Sequence, residues 1–416
     1  MFFFIIVLST FTALSSYVYI RGLQALPPVL IFKVIYSVIF FSGLASFFLR
    51  MFLGDNIREK VAVGLSAVGF TWIVALVYFA MFLVLLDLVR AANGLFDIYP
   101  LWIKENYQKV KLILFAGSSA AILILLVFGN IRFNNPVVTE YNLETAKPLP
   151  GGKMRIVLAS DIHLSSYINK NDLKRYVSLI NRQKGDVIML AGDIADRDPH
   201  PLYNQKMNEE LSQLTAKYGV FAITGNHEFY GGKKEEIYSL IKSAGITFLK
   251  DSAVLVADSF YVVGRDDKTN GKRASLENIM ENINRNLPVF LMDHQPSKLE
   301  DAMHAGADLQ MSGHTHNGQF WPGNLIVSAM FELPYGHLKK GETNYIVTSG
   351  LGLWGPKYRI GTKSEVVVIN LTQLPATAGA TAAKAATSES AETTSAESAS
   401  SAKTSSGRAS SAAGKH

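Results

Sequence analysis

Four long apolar runs constrain this chain more than any other feature of its sequence. They cover residues 1–20, 29–53, 61–86 and 112–131. Three of them contain no charged side chain, and the run 29–53 carries only Lys33 and Arg50 near its ends, where long side chains can reach the membrane surface. A helix of about 20 apolar residues spans the hydrocarbon core of a bilayer. The sequence therefore predicts a transmembrane region over residues 1–131 with four helices.

The first apolar run has an alternative interpretation as a signal peptide. It lacks the basic residues that precede the apolar part of such a peptide, and a second membrane-length run follows almost at once, so we favour a span. Four crossings return the chain to the side of its N-terminus. The opposite side holds Arg21, Lys33, Arg90, Lys104, Lys109 and Lys111, against Arg50, Arg58, Lys60 and Arg132 on the same side. By a small margin, the positive-inside rule favours an external location for the residues after 135.

The composition excludes several classes of protein. Hydrophobic residues make up 49% of the 416 residues and charged residues 18%, so neither a disordered nor a wholly water-soluble chain is expected. The chain contains no cysteine, which excludes disulfides, thiolate metal sites and cysteine nucleophiles. A net charge of +6 is attributed to Lys and Arg in loops and membrane flanks. No basic run with interleaved aromatic residues occurs after the apolar region, so no nucleic-acid partner is expected.

Short β-rich runs alternate with helical patterns after residue 154. The predicted strands are 154–160, 186–190, 220–224, 260–264, 288–292 and 345–349, and the predicted helices are 169–183, 201–217, 233–244 and 296–305. This alternation predicts a layered α/β domain over 154–371, joined to the membrane region by a proline-containing linker, 132–153. Asn171 and Ser297 are expected in the caps or first turns of helices. The segment 375–416 has no large apolar residue and is expected to be disordered.

Five groups of Asp, Asn and His residues follow the predicted strands. They are Asp161 with His163, Gly192-Asp193, Gly225-Asn226-His227-Glu228, Asp293-His294 and Gly313-His314-Thr315-His316. Open α/β sheets place their sites at the carboxyl ends of strands, so the groups are expected to converge on one cleft. Oxygen and imidazole donors without sulfur favour Mn, Fe or Zn. Two such ions, bridged by a carboxylate and a hydroxide, form a hydrolytic site that needs no nucleophilic side chain.

The order of these groups resembles that of the calcineurin-like metallophosphoesterase superfamily. The closest likeness is to its bacterial membrane-associated branch, whose members carry N-terminal hydrophobic segments. Two later segments add to the resemblance: Gly313-His314-Thr315-His316-Asn317-Gly318-Gln319, and Ser349-Gly350-Leu351-Gly352 with Arg359. The resemblance covers about 154–371 and implies an αββα sandwich, within the α/β (α+β layered) class, with a dinuclear metal site at one end.

The resemblance also implies a role for each matched residue. One metal ion would be held by Asp161, His163, Asp193 and His316. The other would be held by Asp193, Asn226, His294 and His314, with Asp193 as the bridge. His227 matches the histidine that binds no metal, faces the phosphate and acts as general acid or transition-state donor. Many relatives have Asp after that histidine, whereas this chain has Glu228, so the orientation of His227 is an open point.

Several other residues have two interpretations. Asp196 and Arg197 match a protein-phosphatase motif in which the arginine grips phosphate, but a loop ion pair explains them equally well. The aromatic pair Phe320-Trp321 is expected in the core, with contact to an acyl chain or the membrane surface as the alternative. The remaining candidates, His200, His304 and His337, are interpreted as structural. For His337, a contact with the substrate is the alternative.

The sequence thus predicts a membrane-bound, metal-dependent phosphoesterase. Its expected substrates are phosphodiesters, pyrophosphates or phosphomonoesters, with a lipid-linked phosphate as a candidate because the catalytic domain adjoins membrane spans. The expected location is the bacterial inner membrane, in contact with its lipids, with the catalytic domain on the external face. A tethered hydrolase of soluble nucleotides is the alternative. A non-catalytic receptor or transport subunit is disfavoured, because all eight ligand and acid positions are intact.

Overall fold

Helices form the whole N-terminal third of the chain. The computed structural model describes residues 2–54 and 57–375, except the side chains at positions 2–4 and 7. The helices in this region are α1 Phe2–Ala25, α2 Leu30–Leu53, α3 Glu59–Phe96, α4 Leu101–Glu105 and α5 Tyr107–Asn134. Except for the short α4, they pack as one bundle, in which the antiparallel pair α2 and α3 has the most extensive contact. The predicted disordered tail lies outside the described residues from position 376 onward.

Three helices of the described chain, α2, α3 and α5, are long and apolar enough to cross a membrane. This is one fewer than the sequence predicts. The remaining predicted span, 1–20, falls on α1. Some side chains of this helix lie outside the described residues, and its crossing of the membrane stays a prediction. Helix α3 also continues ten residues beyond the predicted end at Leu86, because Asp87 pairs with Arg90 one turn later and with Arg21 of α1.

The rest of the described chain forms two six-stranded sheets. The first has the order β1-β12-β2-β3-β4-β5 and the second has the order β10-β11-β9-β8-β7-β6. The strands are β1 Val137–Thr145, β2 Lys153–Ala159, β3 Val187–Leu190, β4 Val220–Ala222, β5 Thr247–Phe248, β6 Ser252–Val256, β7 Phe260–Gly264, β8 Val289–Met292, β9 Leu309–Ser312, β10 Gly336–Lys340, β11 Thr343–Val347 and β12 Glu365–Gln373. Central strands such as β3 and β8 are buried along their whole length, as parallel strands covered on both faces should be.

Helices α6, α7, α8 and α10 cover the outer face of the first sheet and α11 and α12 that of the second, whereas α9 and α13 lie in the connections after β4 and β9. Their bounds are α6 Lys170–Arg182, α7 His200–Asn204, α8 Met207–Leu211, α9 His227–Tyr230, α10 Lys234–Ser243, α11 Leu276–Ile279, α12 Leu299–Ala305 and α13 Gly323–Met330. One apolar cluster joins the first sheet to α6, α8 and α10, a second lies between the sheets, and a third joins the second sheet to α11 and α12. This four-layer arrangement confirms the predicted αββα sandwich.

The structure differs from the sequence-based prediction at several local points. Strand β1 lies inside the segment 132–153 predicted as a linker; its residues are mostly polar because it is an edge strand paired only with β12. The predicted helix 201–217 is two short helices, α7 and α8, separated at Lys206, which has a left-handed backbone. Asn171 lies in the first turn of α6, as predicted, after the cap Asn169, whereas Ser297 lies outside α12, which begins after a left-handed Lys298.

Helix α5 continues from the bundle directly into the core of the sandwich. Phe133, in its last turn, is fully buried among residues of the first sheet and its helices. The adjoining turn is also fixed, because the N–H of Arg359 donates to the carbonyl oxygen of Gly129 at 2.9 Å and Asn130 donates to that of Lys357 at 2.9 Å. The membrane bundle and the sandwich are therefore joined by a continuous, packed helix.

We expect Phe133→Ala to lower the free energy of unfolding by about 3–5 kcal/mol, because it removes a ring from a packed core. Chemical unfolding of the full chain in detergent, followed by circular dichroism, checks this. Phe128→Ala on the same helix is the matched control, since Phe128 is 62% exposed within the protein. Equal effects of the two substitutions would contradict the packing described for α5.

Candidate metal centre

All seven predicted metal ligands lie at one edge of the sandwich. Each follows the carboxyl end of a strand: Asp161 and His163 follow β2, Asp193 follows β3, Asn226 follows β4, His294 follows β8, and His314 and His316 follow β9. These strands are neighbours within the two sheets, β2-β3-β4 in the first and β9-β8 in the second. Because the two sheets pack face to face, the loops at this edge bring the seven side chains together.

One half of the cluster is formed by two histidines and a carboxylate. The Nε2 atoms of His163 and His316 are 3.2 Å apart, and His316 Nε2 lies 3.6 Å from Oδ1 of Asp161. His163 Nε2 also lies 3.7 Å from Oδ2 of Asp193. Each of these four residues thus offers a donor atom to the same small volume.

The other half of the cluster is formed around His294. Its Nδ1 donates to the carbonyl oxygen of Ala191 at 2.7 Å, so its Nε2 faces Oδ2 of Asp193, 3.3 Å away. Nδ1 of His314 lies 2.7 Å from Oδ1 of Asn226. Asp193 therefore borders both halves of the cluster, which is the position that a bridging carboxylate requires.

The backbone of the cluster is strained in a consistent way. Asp161, His163, Asp193, His314 and His316 all have positive φ angles, between 50° and 70°. Non-glycine residues adopt this left-handed region at a cost of order 1–3 kcal/mol each, and such residues concentrate at functional sites. The sandwich core thus holds five side chains in conformations that an unconstrained loop would not select.

Two glycines allow the loops to approach one another. A Cβ atom on Gly225 would lie 2.1 Å from Oδ1 of Asp193, and one on Gly313 would lie 2.2 Å from Oδ2 of Asp161. These distances are far below van der Waals contact, so any larger residue would displace a proposed ligand. The glycines in Gly-Asn-His and Gly-His-Thr-His are therefore required by packing against the carboxylates.

Burial governs the proton affinities within the cluster. Burial raises the pKa of Asp161 to about 6 and lowers the pKa of His163 to about 3 and that of His314 to about 4. Burial opposes ionisation of Asp193 as well, but the neighbouring His294 outweighs it and holds the pKa of this carboxyl below its usual range. The carboxylates of Asp193 and Asp161 outweigh burial at His294 and raise its pKa. The neutral imidazoles of His163 and His314 beside the ionised Asp193 are donors that suit a divalent cation.

An unpaired nitrogen supports the same interpretation. Among the described residues, His294 Nε2, the nitrogen that faces Asp193, is buried and has no hydrogen-bond partner. Buried polar atoms are rarely left unsatisfied without a functional reason. Donor atoms of Asp161, His163 and His316 lie within 4.8 Å of one another, as do those of Asp161, Asp193 and His294. The chemistry of the donors and their spacing therefore fit bound metal ions.

His227 is oriented by the carboxylate of Asp196 and not by that of its neighbour Glu228. Its Nδ1 lies 2.7 Å from Oδ1 of Asp196, and this hydrogen bond outweighs burial and raises the pKa of His227. His227 also lies within 4.8 Å of His163 and Asp193, measured between donor atoms. Geometry alone therefore leaves His227 within reach of a metal ion, and its assignment as a residue that binds no metal stays a prediction.

Glu228 has a structural role in the cluster. Its carboxylate accepts from the backbone N–H groups of Asp193, Ala195 and Gly225, at 3.2, 3.0 and 2.7 Å. It thereby fixes the two loops that carry Asp193 and Asn226, and makes no hydrogen bond to His227. Burial raises the pKa of Glu228 to about 7.

The other predicted candidates lie outside the cluster. Arg197 is half exposed, lies over the ring of Tyr230, and its Nε is 3.8 Å from Asp196. His200 pairs with Asp198 on the surface, and His304 lies in the last turn of α12. His337, on β10, pairs with Asn344 of the neighbouring strand. These partners agree with the structural interpretations of the three histidines.

Arg359 supports the cluster, a role that its spacing in the sequence did not indicate. Its fully buried guanidinium donates to the carbonyl oxygens of His316, Ser349, Gly350 and Gly352, at 3.0, 2.6, 3.0 and 3.0 Å. Burial lowers the pKa of Arg359 to about 10, so it stays charged at neutral pH. The arginine therefore ties the loop that carries His316 to the glycine-rich segment 349–352.

Aromatic and apolar side chains surround the open side of the cluster. Trp354 is exposed and its ring centroid lies 6.0 Å from that of His227, and Phe331 lies 6.0 Å from His314. Phe331 ends α13, which packs beside the loop that carries His316. None of the eight described residues of α13 is buried, although the helix reads Gly-Asn-Leu-Ile-Val-Ser-Ala-Met. The cluster thus lies beside an exposed apolar helix.

Comparison with known proteins agrees with this geometry. The sequence profile described as calcineurin-like phosphoesterase matches residues 154–318. A metallophosphoesterase of Bacillus subtilis is 30% identical over 262 residues, covering 59% of this chain and 89% of that protein. This chain belongs to the metallophosphoesterase family.

Two further relatives of this chain extend the comparison. A Campylobacter jejuni metallophosphoesterase is 27% identical over 374 residues, 88% of this chain and 97% of the relative. A zebrafish protein described as a transmembrane protein with a metallophosphoesterase domain is 30% identical over 267 residues, 60% of this chain and 61% of the relative.

We expect Arg359→Lys to lower the free energy of unfolding by about 3 kcal/mol, because a lysine cannot reach all the buried carbonyl oxygens and unpaired buried acceptors each carry a penalty of about 1–3 kcal/mol. Chemical unfolding of the metallophosphoesterase in detergent measures the loss. Arg182→Lys, at the exposed end of α6, is the control and should have no effect beyond about 0.5 kcal/mol. Similar values for both variants would show that the guanidinium is not a structural tie.

Proposed function

We propose that this protein is a membrane-anchored hydrolase of phosphate esters that depends on two divalent metal ions, and that its substrate is an amphiphile held in the bilayer. The observation that carries the hydrolase assignment is the convergence of Asp, Asn and His donors from five strand ends on one buried cluster. The bond cleaved is a phosphodiester, pyrophosphate or phosphomonoester. Membership in the metallophosphoesterase family supports this reaction class.

The proposed division of ligands follows the two halves of the cluster. Asp161, His163 and His316 hold one ion and Asn226, His294 and His314 hold the other, while Asp193 borders both. The short separation between His163 and His316 supports the first set, and that between His314 and Asn226 supports the second. Mn, Fe and Zn all accept such nitrogen and oxygen donors.

Two bound divalent cations supply a nucleophile at neutral pH and neutralise the negative charge of the phosphate. The remaining work belongs to side chains of this chain. Asp193 would hold negative charge beside both cations, and Asp196 fixes His227 through Nδ1, which leaves Nε2 as the atom that would donate a proton to the leaving oxygen. Trp354 and Phe331 lie beside His227 and His314.

An exposed apolar surface supports an amphiphilic substrate. On α13, Leu325, Ile326 and Met330 are 59%, 63% and 70% exposed, and Trp321 just before the helix is 46% exposed. Contiguous exposed apolar side chains beside a site mark a surface that contacts lipid or another protein. Because this helix adjoins the loop that carries His314 and His316, lipid chains resting on α13 bring an attached phosphate to the cluster.

The contacts of this surface with the bundle support a position at the depth of the bilayer. Tyr78 of α3 donates to the carbonyl oxygen of Trp321 at 2.7 Å, and Thr71 of α3 lies 2.7 Å from the hydroxyl of Tyr358. Both helix residues lie well inside the uncharged run 61–86. Phe320, next to Trp321, packs against a buried apolar cluster of the bundle. This cluster includes Val74 of α3 and Ile122 and Leu126 of α5. We infer that the segment around Trp321 lies among lipids rather than in water.

The distribution of basic residues supports an external position for the sandwich. Arg21, Arg90 and Lys111 lie at the end of the bundle remote from the sandwich, since the ends of α1 and α3 and the start of α5 meet there. Positively charged flanks favour the cytoplasmic side of a membrane. In a bacterium, this orientation puts the metal cluster at the outer leaflet of the inner membrane.

We expect Asp193→Asn to lose at least one metal ion, because the neutral amide no longer offsets the repulsion between two dications. His227→Asn should retain its metal content but lose roughly 10²–10⁴-fold in rate, the usual value of one positioned proton donor. Elemental analysis of both purified variants, together with turnover of a chromogenic phosphodiester in Mn²⁺, measures the two effects. If His227→Asn loses metal as readily as Asp193→Asn, then His227 is a ligand and the proposed division of roles is wrong.

We expect a phosphate ester with a long alkyl chain to be hydrolysed with at least tenfold higher kcat/KM than its short-chain analogue of the same headgroup, because the chain rests on α13 and positions the phosphate. Ile326→Ser combined with Met330→Ser should remove most of that difference and leave turnover of the short-chain ester unchanged. Leu255→Ser, a 41% exposed apolar residue on β6, is the matched control. Assays use the full chain in mixed micelles.

Equal kcat/KM for both esters, unaffected by the α13 substitutions, would contradict the amphiphilic substrate. Preferential turnover of soluble nucleotides would then favour a hydrolase that the membrane region only tethers. Absence of turnover of every ester in metal-loaded protein would instead contradict the hydrolase assignment itself.

A further inference from the structure

A cavity of about 780 Å³ lies within the membrane bundle, at the end remote from the metal cluster. Helices α1, α2, α3 and α5 all contribute to its wall, which is predominantly apolar and includes Phe40, Trp72, Phe79 and Phe115. Sites for small molecules in proteins commonly enclose about 300–1,000 Å³. The volume and the apolar wall therefore suit a hydrocarbon chain.

Every charged side chain that lines this cavity in the described part of the chain is a cation: Arg21, Arg90 or Lys111. Asp87 pairs with Arg21 at 2.5 Å and also with Arg90. Lys111 donates to the backbone carbonyl oxygen of Gln24 at 3.0 Å and lies 5.4 Å from the centre of the Tyr107 ring, and it pairs with no carboxylate among the described residues. Because one carboxylate accompanies three cations, the rim has a surplus of two positive charges.

The rim lies at the height of a membrane surface. Tyr99, Trp102 and Tyr107 line the same end of the cavity, and Tyr107 accepts a hydrogen bond from Nε of Arg90 at 2.9 Å. Tyr and Trp residues concentrate where the hydrocarbon core meets the headgroups. The cavity thus extends from a basic, aromatic rim at the lipid headgroups into the apolar interior of the bundle.

We propose that this cavity is a binding site for an anionic membrane lipid, with its phosphate at Arg21, Arg90 and Lys111 and an acyl chain between the helices. Charge complementarity selects this occupant, because basic pockets between transmembrane helices bind acidic lipid headgroups whereas a zwitterionic lipid offers no net charge to the rim. The site faces the membrane surface opposite the metal cluster and does not depend on the reaction that the cluster performs.

The test measures binding of phosphatidylglycerol and phosphatidylcholine with identical acyl chains to the full chain in detergent, by native mass spectrometry. The unmodified protein should retain phosphatidylglycerol at least tenfold more strongly. Lys111→Gln should weaken phosphatidylglycerol binding about fivefold, since one basic residue near an acidic lipid surface contributes about 1 kcal/mol. Lys109→Gln, which removes an equal charge two residues away outside the cavity wall, should leave binding unchanged.

A second variant tests the cavity without altering any charge. Ser119 lines the wall, and Ser119→Phe fills part of the volume, so it should reduce retention of phosphatidylglycerol at least tenfold while the melting temperature is preserved. Equal retention of the two lipids by the unmodified protein would overturn the proposal, whatever the variants do. So would an equal effect of Lys109→Gln and Lys111→Gln.

Discussion

The buried guanidinium of Arg359 is the interaction on which the loops of the candidate metal centre depend. A buried charge is costly unless it is fully hydrogen-bonded, and Arg359 meets this condition only when the loop of His316 and the segment 349–352 are both in place. Its own backbone N–H is bonded to Gly129 of α5. One residue thus couples the position of a proposed ligand to the end of a membrane helix.

The strained loops of the cluster are held by the rigidity of the two sheets beneath them. Strands β2, β3 and β8 are nearly fully buried, so the residues after them have little freedom to relax. Left-handed conformations at five proposed ligands then persist because the close approaches at Gly225 and Gly313 leave no other path for the loops. The packed core thus fixes the positions of the donor atoms, so that a metal ion can bind without first ordering the loops.

The proposed ligands could be predicted from the sequence because short motifs at strand ends are local signals. The spacing Asp-x-His or Gly-His-x-His already restricts which atoms can meet. The features that the sequence did not predict depend on contacts between distant parts of the chain. Segment 137–145 resembles a polar linker in the sequence, because its partner strand β12 lies more than 200 residues away. The roles of Arg359 and Asp196 also depend on contacts between different loops, because their partners are His316 and His227. The membrane spans followed from composition, whereas the cavity between them depends on packing.

The unbroken run of α5 from the bundle into the sandwich has a consequence for how this protein encounters its targets. With Phe133 buried in the core, the sandwich packs directly on the end of α5. Its working height above the membrane is then a constant of the molecule, set by the length of one helix. For the bilayer amphiphile that we propose as substrate, encounter becomes a lateral search in two dimensions, so the rate would follow the surface density of that substrate in the leaflet rather than its concentration in the surrounding water.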